Sequence, residues 1–160
     1  MTTERPRRSL RLSDDEVWEF VRDAHTGVMT TLRRDGMPIS LPVWFAAVDR
    51  IIYVRTRGRK LQRIANDPRT AFLIESGRRW GELKAVHFTG RSSLVEPAAG
   101  LQVRIDAEME RKYAGSRTPT SHMPPETVSL YADAMRWTAF TPDRRVLSWD
   151  NGALLSRETS

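Results

Sequence analysis

The stretch Ile51–Pro68, IIYVRTRGRKLQRIANDP, constrains this chain more than any other, because a strand period, a glycine and a helix period follow one another without a spacer. Ile51, Tyr53 and Arg55 fall on one face of an extended segment and Ile52, Val54 and Thr56 on the other, whereas Leu61, Ile64 and Ala65 recur at helical spacing. The period changes at Gly58. Five basic residues, Arg55, Arg57, Arg59, Lys60 and Arg63, lie within nine consecutive positions. A strand end that feeds a helix N-terminus aims backbone N–H groups, the Thr56 hydroxyl and cationic side chains at one spot, which is the chemistry a phosphate needs. Pro68 predicts where the helix stops.

At 160 residues the chain fits one domain able to bury a core without covalent staples. It has no cysteine, which excludes disulfides, thiolate metal sites and a cysteine nucleophile. The basic start, MTTERPRRSLRLS, lacks the apolar run of a signal peptide, and no stretch approaches the roughly 20 apolar residues of a membrane span. A cytoplasmic protein with no membrane partner is the expectation. The net charge of +6 invites a nucleic-acid reading, but arginine is spread over strands, turns and both termini with no block of one sign, so nucleic acid is the weaker class.

Along the chain, residues 1–12 read as a flexible basic arm, 13–150 as one domain and 151–160 as a polar tail. Ser13-Asp14-Asp15-Glu16 has the spacing of a capping box ahead of an apolar stripe of Val17, Phe20, Val21 and Ala24. From Val28 the period falls to two, a D-G turn follows at Asp35-Gly36, and Pro38–Val48 alternates as the second strand of a hairpin. Pro42 cannot donate to a ladder and predicts a bulge or a sheet edge. Further strands are expected at Thr70–Ser76, buried on both sides, and Ala85–Glu96, where Gly90 marks a bulge or close approach. Pro97 then suits a first helical position, with Ala98, Leu101, Ile105, Met109 and Tyr113 as the buried stripe. Three prolines make Ser116–Pro125 irregular, a second helix runs from about Glu126 to Met135, and a last hairpin pairs Trp137–Thr141 with Arg145–Trp149 around Pro142-Asp143. Six or seven hairpin-linked strands close most easily as a small antiparallel barrel with helices outside, a mainly β fold.

No catalytic side chain is compelled. Neither a Walker spacing nor a dinucleotide fingerprint nor a G-x-S-x-G elbow is present, and His25, His87 and His122 show no metal-ligand spacing. The carboxylates at Asp14–Glu16 and at Glu108 and Glu110 read as solvated helix charge. Trp44, Trp80, Trp137 and Trp149 read as core or dimer contacts that also suit a flat ring. An anion pocket with aromatic walls and no acid, base or nucleophile implies that any chemistry is performed by a bound cofactor.

The runs TTLRRDGMPISLPVWFAAVDRIIYVRTRGRKLQRIANDPRTAFLIES and VHFTGRSSLVE resemble the pyridoxamine 5′-phosphate oxidase-like family of flavin-binding split barrels. The most specific parts are Asp35–Phe45, the strand carrying Thr56 and Lys60, and Asn66–Arg69. The resemblance implies a six-stranded split barrel that forms a homodimer, with flavin mononucleotide (FMN), or alternatively the deazaflavin coenzyme F420, in a groove between subunits. Carried over, Arg55, Thr56 and Lys60, with Arg59 beside them, hold the cofactor phosphate. Pro42, Val43 and Trp44 lie along the ring, and Arg78, Trp80 or Lys84 close the site, from either chain. The implied activity is hydride transfer to or from a small organic substrate, the alternative being a non-catalytic flavin or deazaflavin carrier. The C-terminal substrate-phosphate motif of the vitamin B6 oxidases is not matched by RVLSWDNGALLSRETS, so that particular reaction is not implied. The helical passage at 97–135 also departs from the minimal family pattern and stands where it would shape the substrate side.

Overall fold

The computed structural model describes residues 9–132 and 135–155. Helix α1 (Asp14–Asp23) is followed by strands β1 (Gly27–Leu32), β2 (Pro38–Val43), β3 (Ala46–Val48) and β4 (Ile51–Thr56), helix α2 (Arg59–Asn66), and strands β5 (Arg69–Ser76) and β6 (Lys84–Val95). Helices α3 (Ala99–Tyr113) and α4 (Pro125–Ala132), the long strand β7 (Arg136–Asp150) and the short helix α5 (Gly152–Leu155) complete the order. The seven strands form one antiparallel sheet in the order β2-β1-β5-β6-β7-β4-β3. Its two edges, β2 and β3, are joined by only Trp44 and Phe45. A link of two residues holds those edges within about 10 Å of each other, so the sheet has to curl into a barrel that is split at this seam.

Seven strands replace the six implied by the resemblance. The expected strand over Pro38–Val48 breaks at Trp44–Phe45, because the chain there leaves one edge of the sheet for the other. The expected C-terminal hairpin is absent. Pro142-Asp143 do not turn but run through β7, which pairs with β6 from Lys84↔Asp150 to Val95↔Trp137 with a register shift between Phe88 and Gly90. Gly90, opposite Pro142, explains why: a Cβ there would collide with the Thr141 carbonyl oxygen. Pro142 therefore sits at the bulge, where its missing N–H costs nothing. Over its first residues, Arg136–Phe140, β7 also pairs with β4, with Ile52 opposite Phe140 and Arg55 opposite Trp137.

Ladder partners share a face of the sheet, so the register sorts the side chains. Met29, Ile52, Val54, Phe72, Ile74, Val86, Phe88 and Phe140 point inward and are fully buried, joined by Phe45 from the seam and by Val21 and Ile64 from helices α1 and α2. The expected burial of β5 on both sides holds for one side only. Thr70, Phe72 and Ile74 are buried, while Ala71 and Leu73 are half-buried on the outer face. Outside the barrel, α3 lies on the β3–β4–β7 half, burying Ile105 against Ala46, Val48, Tyr53 and Ala139.

Local signals account for the helix ends. The Ser13 hydroxyl accepts from Glu16 N and the Glu16 carboxylate from Ser13 N, the capping box expected at α1. Helix α3 starts at Ala99, with Pro97 just outside it rather than in its first turn. Helix α4 is described over Pro125–Ala132, Met135 is not helical, and positions 133–134 of the expected helix lie outside the described residues. Asp49 and Arg50, both at positive φ, make the tight β3–β4 turn. Arg104 of α3 holds Asp49 through paired bonds of 2.6 and 2.7 Å, and Arg50 reaches Asp14 of α1. The part of the basic arm beyond residue 8 is anchored: Leu10 O accepts from Asp150 N, and Leu12 is buried. The arm's residues 1–8 lie outside the described residues. Asn151 is buried with its side-chain amide on Trp80 O at 2.8 Å, so the ordered unit reaches into the expected tail.

Candidate functional site: a cavity at the barrel seam

The turn read from the sequence forms as written. Gly58 takes φ +62, a left-handed conformation that other residues adopt at a cost, and α2 starts immediately after it with no side-chain cap and no acidic residue in its first turn. Arg59 and Lys60 occupy that turn, where the helix dipole disfavours cations and favours an anion. Arg63 donates to the Thr31 hydroxyl at 2.8 Å and ties α2 to β1. At the other end, the Asp67 carboxylate accepts from Arg69 N, Nε and a terminal guanidinium nitrogen, which folds Asn66–Arg69 around Pro68. Those bonds hold the Asp67 carboxyl down at about 2.

A cavity of about 1180 Å³ opens at the seam. It is lined by Pro42, Val43 and Trp44 from the seam, by Arg55 and Lys60, and by the insertion: Asp106, Met109 and Glu110 from α3, Ser116, Arg117, Thr118 and Thr120 from the turns after it, then Met123 and Met135. Burial, reinforced by the Arg63 charge, lowers the Lys60 pKa from its ordinary value. An anion bound beside it would act in the opposite direction, raising the Lys60 pKa by charge attraction.

Trp44 owes its orientation to α3. Its ring stacks on Tyr113 at 4.5 Å between centroids and 8° between planes, and the His25 ring meets both edge-on. Tyr113 is fully buried, its hydroxyl accepting from Phe45 N at 2.9 Å and lying within donating distance of His25 O (2.8 Å) and Phe45 O (3.1 Å). Those bonds satisfy backbone groups that the sheet cannot pair where its ladder breaks. Next to Tyr113, the Lys112 ammonium lies 3.5 Å from the Phe45 ring centroid with no hydrogen-bond partner among the described residues, and burial brings its pKa down to about 8.

Of the residues singled out by sequence, the fold brings Arg55, Lys60, Pro42, Val43 and Trp44 together on this cavity. Thr56 is buried at the end of β4, and Arg59 is exposed on α2; neither lines the wall. Arg78, Trp80 and Lys84 belong to the β5–β6 connection, where Trp80 is 63% exposed and Lys84 pairs with Asp150 at 3.7 Å, and within one chain they do not reach the cavity. His87 lies on the outer sheet face between Leu73 and Leu147. Sequence reasoning missed Asp106, Glu110 and the methionines, since each reads as ordinary helix or loop composition until α3 is placed over the seam.

A second cavity, of about 750 Å³, lies between α1, the β3–β4 turn and α3. Several of its charges are paired, Arg104 with Asp49, Arg50 with Asp15, and Glu108 with Arg111 outside the cavity.

A barrel split at one seam, with a cavity and a cationic turn beside that seam, defines a split-barrel fold. The family model described as pyridoxamine 5′-phosphate oxidase matches residues 13–140, and the chain belongs to that family. Comparison with curated proteins gives no match. Among solved structures, a conserved hypothetical protein from Mycobacterium tuberculosis is 28% identical with a TM-score of 0.74, the alignment covering 98% of this chain and 96% of that one. The heme storage protein HutZ from Vibrio cholerae is 14% identical with a TM-score of 0.64, covering 87% and 97%. A FAD-binding protein from Mesorhizobium loti is 18% identical with a TM-score of 0.62, covering 86% and 93%. At these last two identities the likeness is one of fold.

Proposed function

We propose that the protein is an oxidoreductase that carries FMN, or alternatively the deazaflavin coenzyme, at the seam cavity and works as a homodimer. The observation that carries this reading is the convergence of Arg55 and Lys60 with the Pro42–Trp44 wall on one cavity. Two cations without a carboxylate partner among the described residues, at the start of an uncapped helix, suit a phosphate. The wall beside them suits a flat ring. When bound, the cofactor supplies hydride transfer at its central ring. The chain's part is to fix the phosphate with Arg55 and Lys60, helped by the Gly58 turn, and to hold the ring plane through Trp44, itself clamped by Tyr113.

The dimer is supported by an outer sheet face that none of the described helices covers. Val28, Leu73, His87 and Leu147 follow one another across β1, β5, β6 and β7, with Trp149 beside them, and Leu147 is 52% exposed. Pairing two such faces would carry the β5–β6 connection of one chain toward the cavity of the other, the route by which Arg78, Trp80 and Lys84 would close the site.

The competing reading, a carrier without turnover, draws on the heme storage and FAD-binding proteins among the neighbours of this fold. Mass spectrometry of what copurifies, followed by hydride transfer assays with quinones, enones and nitro compounds, separates the two. For the site itself, FMN titrations should show affinity falling more than about tenfold, or 1.4 kcal/mol, in Arg55→Ala/Lys60→Ala while the chain stays folded. Unchanged affinity removes the phosphate site.

A further inference from the structure

A hydride delivered to a carbonyl-conjugated acceptor leaves an oxyanion, and the reaction is complete only when a group beside that oxygen gives it a proton. Most polar groups around the seam are committed elsewhere. Tyr113 is fully buried, its hydroxyl bonded to backbone groups of Phe45 and His25. The Lys112 ammonium is buried against the Phe45 ring. Asp106 accepts from Gln102 at 2.8 Å, and Glu110 is paired with Arg117 at 3.0 Å.

Ser116 differs from these. Its Oγ lies 3.1 Å from His25 Nε2, and Nδ1 of the same ring lies 3.3 Å from Thr26 Oγ1. A protonated imidazole donates from both nitrogens, and here both hydroxyls stand ready to accept. The ring is also held in place, edge-on to Trp44 at 5.7 Å and to Tyr113 at 5.0 Å between centroids. His25 is exposed, whereas Ser116 and Trp44 line the cavity, so the pair connects solvent to the cavity wall. Among the described residues, Ser116 is the lining residue whose hydroxyl is bonded to a histidine, the side chain that gains and loses a proton near neutrality.

Resting on the cofactor reading, we infer that Ser116 is the catalytic residue that protonates the substrate and that His25 is a positioning residue that replenishes it. In the reduction of a cyclic enone, the β-carbon receives a hydride, with its electron pair, from the reduced flavin. The electron pair of the C=C bond shifts toward the carbonyl and forms an enolate. The enolate oxygen takes the Ser116 hydroxyl proton as Ser116 Oγ takes the Nε2 proton of the imidazolium, which is left neutral and is reprotonated from solvent. The enol then tautomerises to the saturated ketone. The enone has gained a hydride and a proton, and the flavin has been oxidised by two electrons. The insertion thereby contributes a reacting group, and the histidine before β1 becomes part of the site only because α3 and the turn after it lie over the seam.

The test is a single turnover. The chain is loaded with FMN, reduced anaerobically and mixed with 2-cyclohexen-1-one, and FMN reoxidation is followed by absorbance. Ser116→Ala and His25→Ala should each slow reoxidation by about tenfold or more, with FMN affinity in titrations changed by less than about twofold. Ser116→Thr, which keeps a hydroxyl, should restore the rate lost in Ser116→Ala. Added imidazole should restore His25→Ala and not Ser116→Ala, an outcome that a merely structural histidine does not give. In the chain without FMN, nitrogen NMR should show the His25 Nε2 signal moving on Ser116→Ala while those of His87 and His122 stay in place. Unchanged reoxidation in the two alanine variants overturns the inference, as does a His25→Ala loss that imidazole leaves unrepaired or an unmoved Nε2 signal. A chain that takes no FMN fails at the cofactor reading and takes the relay with it; a chain that binds FMN and leaves the enone unreduced keeps the cofactor and loses the relay alone.

Discussion

The two halves of the sheet's outer face make the instructive contrast. Over β3, β4 and the first part of β7 the face is small and closed: Ala46 and Ala139 let α3 approach, and Ile105 is fully buried there. Over β1, β5 and the last part of β7 the same sheet presents Val28, Leu73, Leu147 and Trp149 with no helix upon them. One half is finished by its own chain. The other keeps partly exposed apolar side chains on its outer face, and the seam cavity is lined from both Pro42–Trp44 and the insertion.

The sharpest way to break this contrast is to place the same charge on each half. Ile105→Asp should cost about 4 kcal/mol or more and leave little folded protein by circular dichroism, because the carboxylate has no partner in that contact. Leu147→Asp should leave the fold intact and shift sedimentation from dimer to monomer. If both unfold the chain, the exposed half is not an interface.

A milder perturbation addresses the clamp from α3 to the seam. Tyr113→Phe keeps the stacking on Trp44 but leaves Phe45 N without its acceptor, for an expected loss of about 1–3 kcal/mol in denaturant melts. It should also weaken FMN binding, whereas a loss of stability without any change in affinity would separate the clamp from the site.

Smallest is Lys112→Met, which should be stabilising. The ammonium is buried among the Phe45 ring and the nearby Glu108, Arg111 and Asp23 charges, with its folded pKa near 8 against 10.5 in an open chain. Below pH 8 both states carry the proton and the folded state bears the full desolvation penalty. Between about 8 and 10.5 the folded state loses its proton first, so the native chain gains stability as pH rises. The methionine variant should therefore melt higher by about 1–2 kcal/mol at pH 7, after the cation–π contact is discounted, and the advantage should vanish near pH 10.5. A gap that grows with pH would contradict the assignment.

Much of the fold was legible because the signals are local. The capping box at Ser13, the Asp35-Gly36 turn, the switch at Gly58 and the period-two runs at Val28–Leu32, Ile51–Thr56 and Thr70–Ser76 each depend on residues a few positions apart, and each formed as read. The cationic part of the cavity lining was legible for the same reason, since Arg55 and Lys60 belong to one turn. The misreadings came where a distant partner decided the outcome. Pro142-Asp143 looks like a turn until Gly90 offers a bulge 52 positions earlier. The run at Pro38–Val48 looks like one strand until Tyr113 supplies, 68 residues away, the hydrogen bond that lets Phe45 leave the ladder.

The sequence by itself determined which segments are strands and helices, and where positive charge gathers after β4, because backbone preference and charge act over a single turn. The tertiary structure alone decided that the sheet splits at Trp44, that α3 closes one half of it, and that the methionines and carboxylates of the insertion face the cationic turn. Those outcomes depend on closing a barrel and satisfying the broken ladder at its seam, constraints that exist only once strands remote in the chain have met.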